Sequence, residues 1–381
     1  MPCPPRPRSL PSLLQSVKMS PDALAGVLRY KMDSPLLSHH KASGATIATF
    51  SGCALPDFFT GWKDEWRVAR ETVALFDANW HAIAILTGPD RIRYLNAIVS
   101  NDVQSLAEGQ GILALLLDPR AHILAELEIY VRHDDVLVLS HASVRERTLA
   151  TLDKYIIMDD VELKDATARL GAVAVEGPHA GFVLSQATGL SLDGFSEFAG
   201  KKTEIGGVEC YAVRRSHFAA PGVRIIAPIE QLELVWRTLS GIVQAAHGSP
   251  LGMRALNALR LEAGIPWFPL DFDDSVIPHE AALENSHLSF TKGCYTGQEI
   301  VERVRSRGHV NRRRVRLAFS TPEPPAPGTK LLVNGADVGH VTSSAFSPAA
   351  GTAIGMGYLR REYLSPGSVV AFPAGAATIL A

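Results

Sequence analysis

The run "GILALLLDPRAHILAELEIYVRHDDVLVLSHA", residues 111–142, most constrains what this chain can fold into. Three short apolar segments are separated by an Asp-Pro turn and by the polar "RHD", a pattern that predicts three consecutive antiparallel strands. Ahead of it, "HAIAIL" predicts a strand. "TGPDRIRYLNAIV" then predicts a helix with Ile92, Leu95 and Val99 at helical spacing. Behind it, "SVRERTLATLDKYI" predicts a helix that opens on a capping box from Ser143 to Glu146 and covers one sheet face.

A second unit follows "VELKDA". It reads as strand "LGAVAVEG", helix "PHAGFVLSQATG", strands "GVECYAVRR" and "GVRIIAP", and helix "IEQLELVWRTLSG". This β-α-β-β-α order resembles a split βαβ, ferredoxin-like arrangement, so the class is α+β. "VEGPHAG" lacks the G-x-G-x-x-G spacing and receives no phosphate-cradling role. Beyond the Pro-rich "STPEPPAPGTK", short strands between Asn-Gly, Gly and Pro-Gly turns predict a small C-terminal β barrel or sandwich. The expected divisions are a tail at 1–24, a first subdomain at 25–168 completed by 253–311, a second ferredoxin-like subdomain at 169–252, and a barrel at 312–381. The opening "MPCPPRPRSLPSLLQSVK" is basic, but its prolines spoil a transit-peptide helix. A tail, or a start codon placed upstream of Met19, is the expectation.

With 381 residues, 46% of them hydrophobic, the chain is long enough for two or three domains. A net charge of -2 gives no whole-molecule pull toward nucleic acid or an anionic membrane, so any anion site is local. The four cysteines, Cys3, Cys53, Cys210 and Cys294, show no C-x-x-C. They imply a reducing compartment and no metal held by this chain alone. No apolar run reaches the length of a membrane span, and a cytoplasmic monomer is expected.

Four groups of residues can carry chemistry. Glu262, in "LRLEAG", falls in the last turn of its helix, where a carboxylate opposes the helix dipole by about 0.3–1 kcal/mol and calls for a compensating partner. That partner is either solvent with Arg254 or Arg260, or a pair of N–H donors such as a 2-amino-4-oxopteridine presents. Cys294 follows Lys292 among glycines. It reads either as a small buried side chain or as an accessible thiol activated by the cation. Arg303, Arg305 and Arg307 alternate as if on one strand face, and Arg312, Arg313, Arg314 and Arg316 follow. This local basic patch suits a polyglutamyl tail, RNA phosphate or an acidic partner, or is simply solvated surface. Asp118 and His122 flank the meander turn, and Glu126 and Glu128 share a strand face.

"KGCYTGQE", Lys292 to Glu299, resembles the signature of the YgfZ family, tetrahydrofolate-binding proteins that share the fold of the glycine cleavage system T protein. "GATIATFSGCALPDFF", "ALFDANWH", "KYIIMDDVEL", "RLEAGIP" and "GHVTSSAFSPAAGTAIGMGYL" are similar to T-protein superfamily segments in the expected order, covering nearly all of the chain after about residue 40. The resemblance implies three domains ringed around a folate channel. In it Glu262 would hold the pteridine and Cys294 would act as the functional thiol. It also implies that Lys292, Gly293, Tyr295, Gln298 and Glu299 of the motif contribute to the folate site.

Two departures accompany these matches. The paired acids of the T-protein "GGILDDLIV" run become Ala125 and Glu126 in "AHILAELEI", and His141 stands where the family has a folate-contacting Asn. Glu126 is therefore the candidate catalytic carboxylate, one methylene longer than the family's aspartate. The resemblance implies a tetrahydrofolate-binding protein that supports iron–sulfur cluster assembly or repair in client enzymes, among them a tRNA methylthiolating enzyme. The alternative is a folate-dependent aminomethyltransferase or demethylase. RNA binding through the arginine run is a third expectation.

Overall fold

The structure, a computed structural model, describes residues 31–381. The tail expected at 1–24 lies outside the described residues.

The predicted meander forms as read. Strands Gly111–Leu117, Ile123–Val131, Val136–His141, His81–Thr87 and Glu162–Asp165 make a five-stranded antiparallel sheet in that spatial order. Helices Arg91–Ile98 and Arg145–Lys154 accompany it. The expected capping box does not form. A 3-10 turn at Ala142–Val144 precedes the second helix, and the Ser143 hydroxyl bonds to His141 instead of capping. Phe268, Tyr295 and Val301 lie far along the chain yet belong to the same apolar core as Leu115 and Leu127.

The second sheet runs Gly200–Ile205, Val208–Arg214, Gly222–Pro228, Leu170–Glu176, Ala74–Asp77 and Ser249–Pro250. Three of its strands depart from the sequence reading, the two-residue Ser249–Pro250 among them. Gly200–Ile205 ("GKKTEI") pairs antiparallel with Val208–Arg214, although its lysines and glutamate hide the alternation. Ala74–Asp77 comes from the amino-terminal segment, across the division expected at residue 169. All four of its residues are buried, and a strand buried on both faces carries no period-2 signal.

A hairpin, Thr46–Phe50 and Cys53–Phe58, lies ahead of helix Trp62–Glu71. At the carboxyl end, six strands from Arg312–Phe319 to Gly375–Ile379 close into a barrel around Leu317, Leu331, Val341 and Leu359. The barrel is fastened to the rest at Asp271, which is held in a buried ion pair with Arg260 and whose carbonyl accepts the hydroxyl of the barrel's Tyr358. Asp271 also accepts from the hydroxyls of Thr342 and Ser343 and from the Trp267 amide. Among the described residues, no helix is long and apolar enough to cross a membrane.

Candidate functional site

Strand Ile123–Val131 places Glu126 and Glu128 on one face, as alternation requires, and both reach a cavity with about 730 Å³ of unfilled space. That figure takes in space open to solvent; the room it leaves for the centres of water-sized molecules is about 60 Å³. Its apolar walls come from Trp80, Trp267, Phe268 and Phe50. Trp80 and Trp267 approach to 6.0 Å between ring centres, tilted by 33°. An outer chamber shares Glu126, Arg215 and Pro266 with this cavity, and the barrel strand contributes Arg314 to it.

The two glutamates have different environments. Glu128 is 4% exposed and fully engaged: Arg224 grips it with both terminal nitrogens, Arg215 Nε donates at 3.0 Å and the Tyr130 hydroxyl at 2.6 Å. Burial opposes its ionisation, yet the two guanidiniums hold its carboxyl well below the usual carboxylate range. It is a fixed anion inside a buried network. The network continues from Arg224 to His217 Nε2 at 2.9 Å, and from His217 Nδ1 to Glu176 at 3.0 Å. Among the described residues Glu126 has one charged or titratable hydrogen-bond partner, His287, whose Nε2 lies 2.9 Å from Oε1. The Ser286 hydroxyl meets His287 Nδ1 at 2.7 Å.

Two further histidines line the inner cavity, His81 and His141, paired directly across neighbouring strands. His81 Nδ1 lies 3.2 Å from the Ala78 carbonyl, which makes Nδ1 the donor. His141 Nδ1 accepts the Ser143 amide at 3.1 Å. Burial lowers the pKa of His141 to about 4. Burial and then the Arg224 charge also hold that of His81 well below its ordinary value. Both rings are neutral at pH 7.

Of the residues expected from the sequence, Glu126, Glu128 and His141 are brought to the cavity. Glu262 lies apart from them. Its carboxylate is consumed by the Trp66 indole at 3.1 Å, by Arg70 at 3.2 Å and by the Ser347 hydroxyl, and it is absent from the cavity walls. The compensating partner that its helix-end position demands is supplied by the protein. Lys292 also lies apart from the cavity walls. Its ammonium donates to the carbonyls of Asn96, Val99 and Asn101, closing the carboxyl end of helix Arg91–Ile98, and burial lowers its pKa to about 8. Tyr295 packs into the first core, and Glu299 pairs with Arg303 on an exposed helix face. Gly293 and Cys294 are exposed, and Gln298 opens helix Gln298–Arg307. None of these motif residues lines the cavity. Gly297 takes a positive φ of 83°, and a Cβ there would sit 2.7 Å from the Asp118 carbonyl, so the motif is pressed against the meander turn. Asp118 and His122 build that turn: Asp118 accepts the His122 amide at 2.8 Å.

The arginine run divides differently from its expected shared face. Arg303 and Arg305 lie on a helix. Arg312 and Arg313 pair with Glu280 and Glu284, Arg314 donates to Ala281, and Arg316 donates to the Glu262 carbonyl. These four join the barrel to the preceding segment, which is why they gather at the boundary.

Two family models match the chain: the GCVT N-terminal domain over residues 36–287, and the glycine cleavage T-protein C-terminal barrel domain over residues 312–380. The chain belongs to the glycine cleavage T-protein family. A relative from Thermotoga petrophila named aminomethyltransferase is 26% identical, with 90% of this chain and 93% of that protein aligned. One of the same name from Rubrobacter xylanophilus is 28% identical over 86% of this chain and 87% of that protein. The crystal structure of glycine cleavage system aminomethyltransferase T from Bartonella henselae superposes with a TM-score of 0.83, at 24% identity, over 92% of this chain and 97% of that one. The likeness confirms the T-protein fold expected from the motifs. The names of these relatives favour the aminomethyltransferase alternative over the iron–sulfur reading.

Within this T-protein fold, sequence reasoning missed His81, Trp80, Trp267 and His287 as cavity residues. His81 sits in the quoted strand "HAIAIL", directly opposite His141 in the strand register. The strand pairing would have linked the two. His287 carried no comparable local signal.

Proposed function

We propose that this chain binds a reduced folate in the central cavity and takes part in transfer of a one-carbon unit from an amine, as an aminomethyltransferase or demethylase. The observation that carries this reading is Glu126, a carboxylate held by His287 where an aromatic-walled cavity opens to an outer chamber. The residues fit a pterin: Trp80, Trp267 and Phe268 offer flat apolar faces, and His81 and His141 each keep a ring nitrogen without a partner among the described residues. Bound folate would supply the amine nitrogens that take up the one-carbon unit. Glu126 holds or releases the proton at the reacting nitrogen, His287 fixes the carboxylate's orientation, and the aromatic walls exclude water. Ala125 replaces the family's first acid, so Glu126 carries this role alone.

Anaerobic titration with tetrahydrofolate, followed by a steady-state assay for methylenetetrahydrofolate from a secondary amine, tests the reading. Saturable binding with turnover that collapses in Glu126→Gln supports it. Absence of binding overturns it.

A second reading, the YgfZ type, is favoured by the exposed Cys294 thiol on the "KGCYTGQE" loop, away from the cavity. There the folate-loaded protein supports iron–sulfur enzymes in the cytoplasm, and Cys294 meets the client. Full complementation of a null strain by Cys294→Ser would remove that role.

A further inference from the structure

His81 and His141 lie opposite each other in the strand register, so their Cβ atoms are separated by roughly 4.5–5.5 Å. Each has one ring nitrogen committed to the backbone, with opposite polarity. The Ala78 carbonyl can only accept, so His81 Nδ1 carries the proton and Nε2 is left as an acceptor. The Ser143 amide can only donate, so His141 Nδ1 is the acceptor and Nε2 carries the proton. Neither tautomer can reverse without setting two donors or two acceptors against each other. Among the described residues, neither Nε2 atom has a hydrogen-bond partner, and neither is sealed from the cavity that both rings line.

We propose that this pair reads a lactam edge, an N–H beside a C=O, on the flat heterocycle bound in the cavity: His141 Nε2–H donates to the carbonyl and His81 Nε2 accepts the N–H. The proposal rests on the folate reading and deepens it. The matching edge of a folate is N3–H with the 4-oxo group, and the pair then selects 4-oxopteridines against 4-aminopteridines. In the 4-amino analogue the carbonyl becomes an amino donor and N3 becomes an acceptor, so both contacts turn repulsive. A site built from fixed polar groups discriminates strongly against a ligand that leaves them mismatched.

The test is calorimetric titration of the full chain, anaerobic at pH 7.5, with tetrahydrofolate and with its 4-amino-4-deoxy counterpart. In the wild type the 4-amino ligand is expected to bind at least about 100-fold more weakly. In His81→Phe or His141→Phe, tetrahydrofolate is expected to weaken at least about tenfold, with the preference between the two ligands shrinking to within about tenfold. His141→Asn, which retains a side-chain N–H, is expected to recover part of the preference. Equal binding of both ligands to the wild type would overturn the lactam-reading pair and leave the folate reading standing. Retention of the full preference by both phenylalanine variants would overturn the pair in the same way. If tetrahydrofolate itself does not bind, the folate reading falls and the pair's assignment falls with it. The wild-type comparison stands even if a variant fails to fold.

Discussion

His287 Nε2 lies 2.9 Å from the Glu126 carboxylate, although 161 residues separate the two in sequence. His287 is buried and backed by the Ser286 hydroxyl, so the imidazole is fixed and the carboxylate is oriented by it. Glu128, two residues along the same strand, is locked between arginines. Of the two carboxylates, Glu126 is the one available for proton transfer.

Replacing Glu126 with Gln is therefore expected to lower the rate of one-carbon transfer by about 10²–10⁴-fold, the usual yield of a positioned acid or base. Tetrahydrofolate affinity is expected to change only a few-fold. Single-turnover kinetics beside calorimetry separates the two effects. A rate unchanged in this variant would place the proton transfer elsewhere.

Glu128→Gln acts on stability. It leaves Arg224 and Arg215 buried without their counter-charge, and breaking one side of such a buried network costs about 3–5 kcal/mol. Urea unfolding followed by far-ultraviolet circular dichroism measures the loss. A change below about 1 kcal/mol would mean that solvent reaches the arginines.

Acid should weaken the fold from about pH 6.5 downward. The pKa values of His141 and His217 are lowered to about 4, chiefly by burial, whereas an unfolded histidine titrates near 6.5. A depressed folded pKa means that the native state binds fewer protons. The stabilisation is thus full above pH 6.5 and is lost as pH falls through about 4. Glu128, held low by its arginines, adds a further loss below about pH 4.3. Thermal melts between pH 7.5 and 4 should show a continuous decline, which His217→Gln flattens in its upper part.

Thiol reactivity should divide sharply. Cys53 and Cys210 are buried, and burial raises their pKa to about 12 and about 11. In a Cys3→Ser background, native-state alkylation is expected to label Cys294 alone, with the other two reacting only in denaturant. Mass spectrometry of the labelled peptides decides this, and native labelling of Cys53 would contradict the buried hairpin strand.

Gly297→Ala should cost about 1–3 kcal/mol, because it forces a side chain into the left-handed region and against the Asp118 carbonyl. The comparison of melting curves with Gly293→Ala, where a Cβ meets nothing within 4 Å, isolates that contact.

The sequence alone determined the meander, its flanking helices, the barrel and the family, because apolar period and turn residues are local properties written along the chain. It also placed Glu126 and Glu128 on one face, and the family resemblance singled out His141. Only the tertiary structure decided which polar groups were spent on the protein itself. Glu262 and Lys292 look like ligand residues by type and position. Long-range partners, Trp66 with Ser347 and the carbonyls around Asn96, take up their hydrogen-bonding capacity. His81 and His287 carry no signal by composition, and become site residues because strand register and a 161-residue return of the chain bring them to the inner cavity and to the outer chamber beside it. Hydrogen-bond satisfaction is a property of the folded neighbourhood, so which groups remain open to a ligand is legible only once every buried partner is in place.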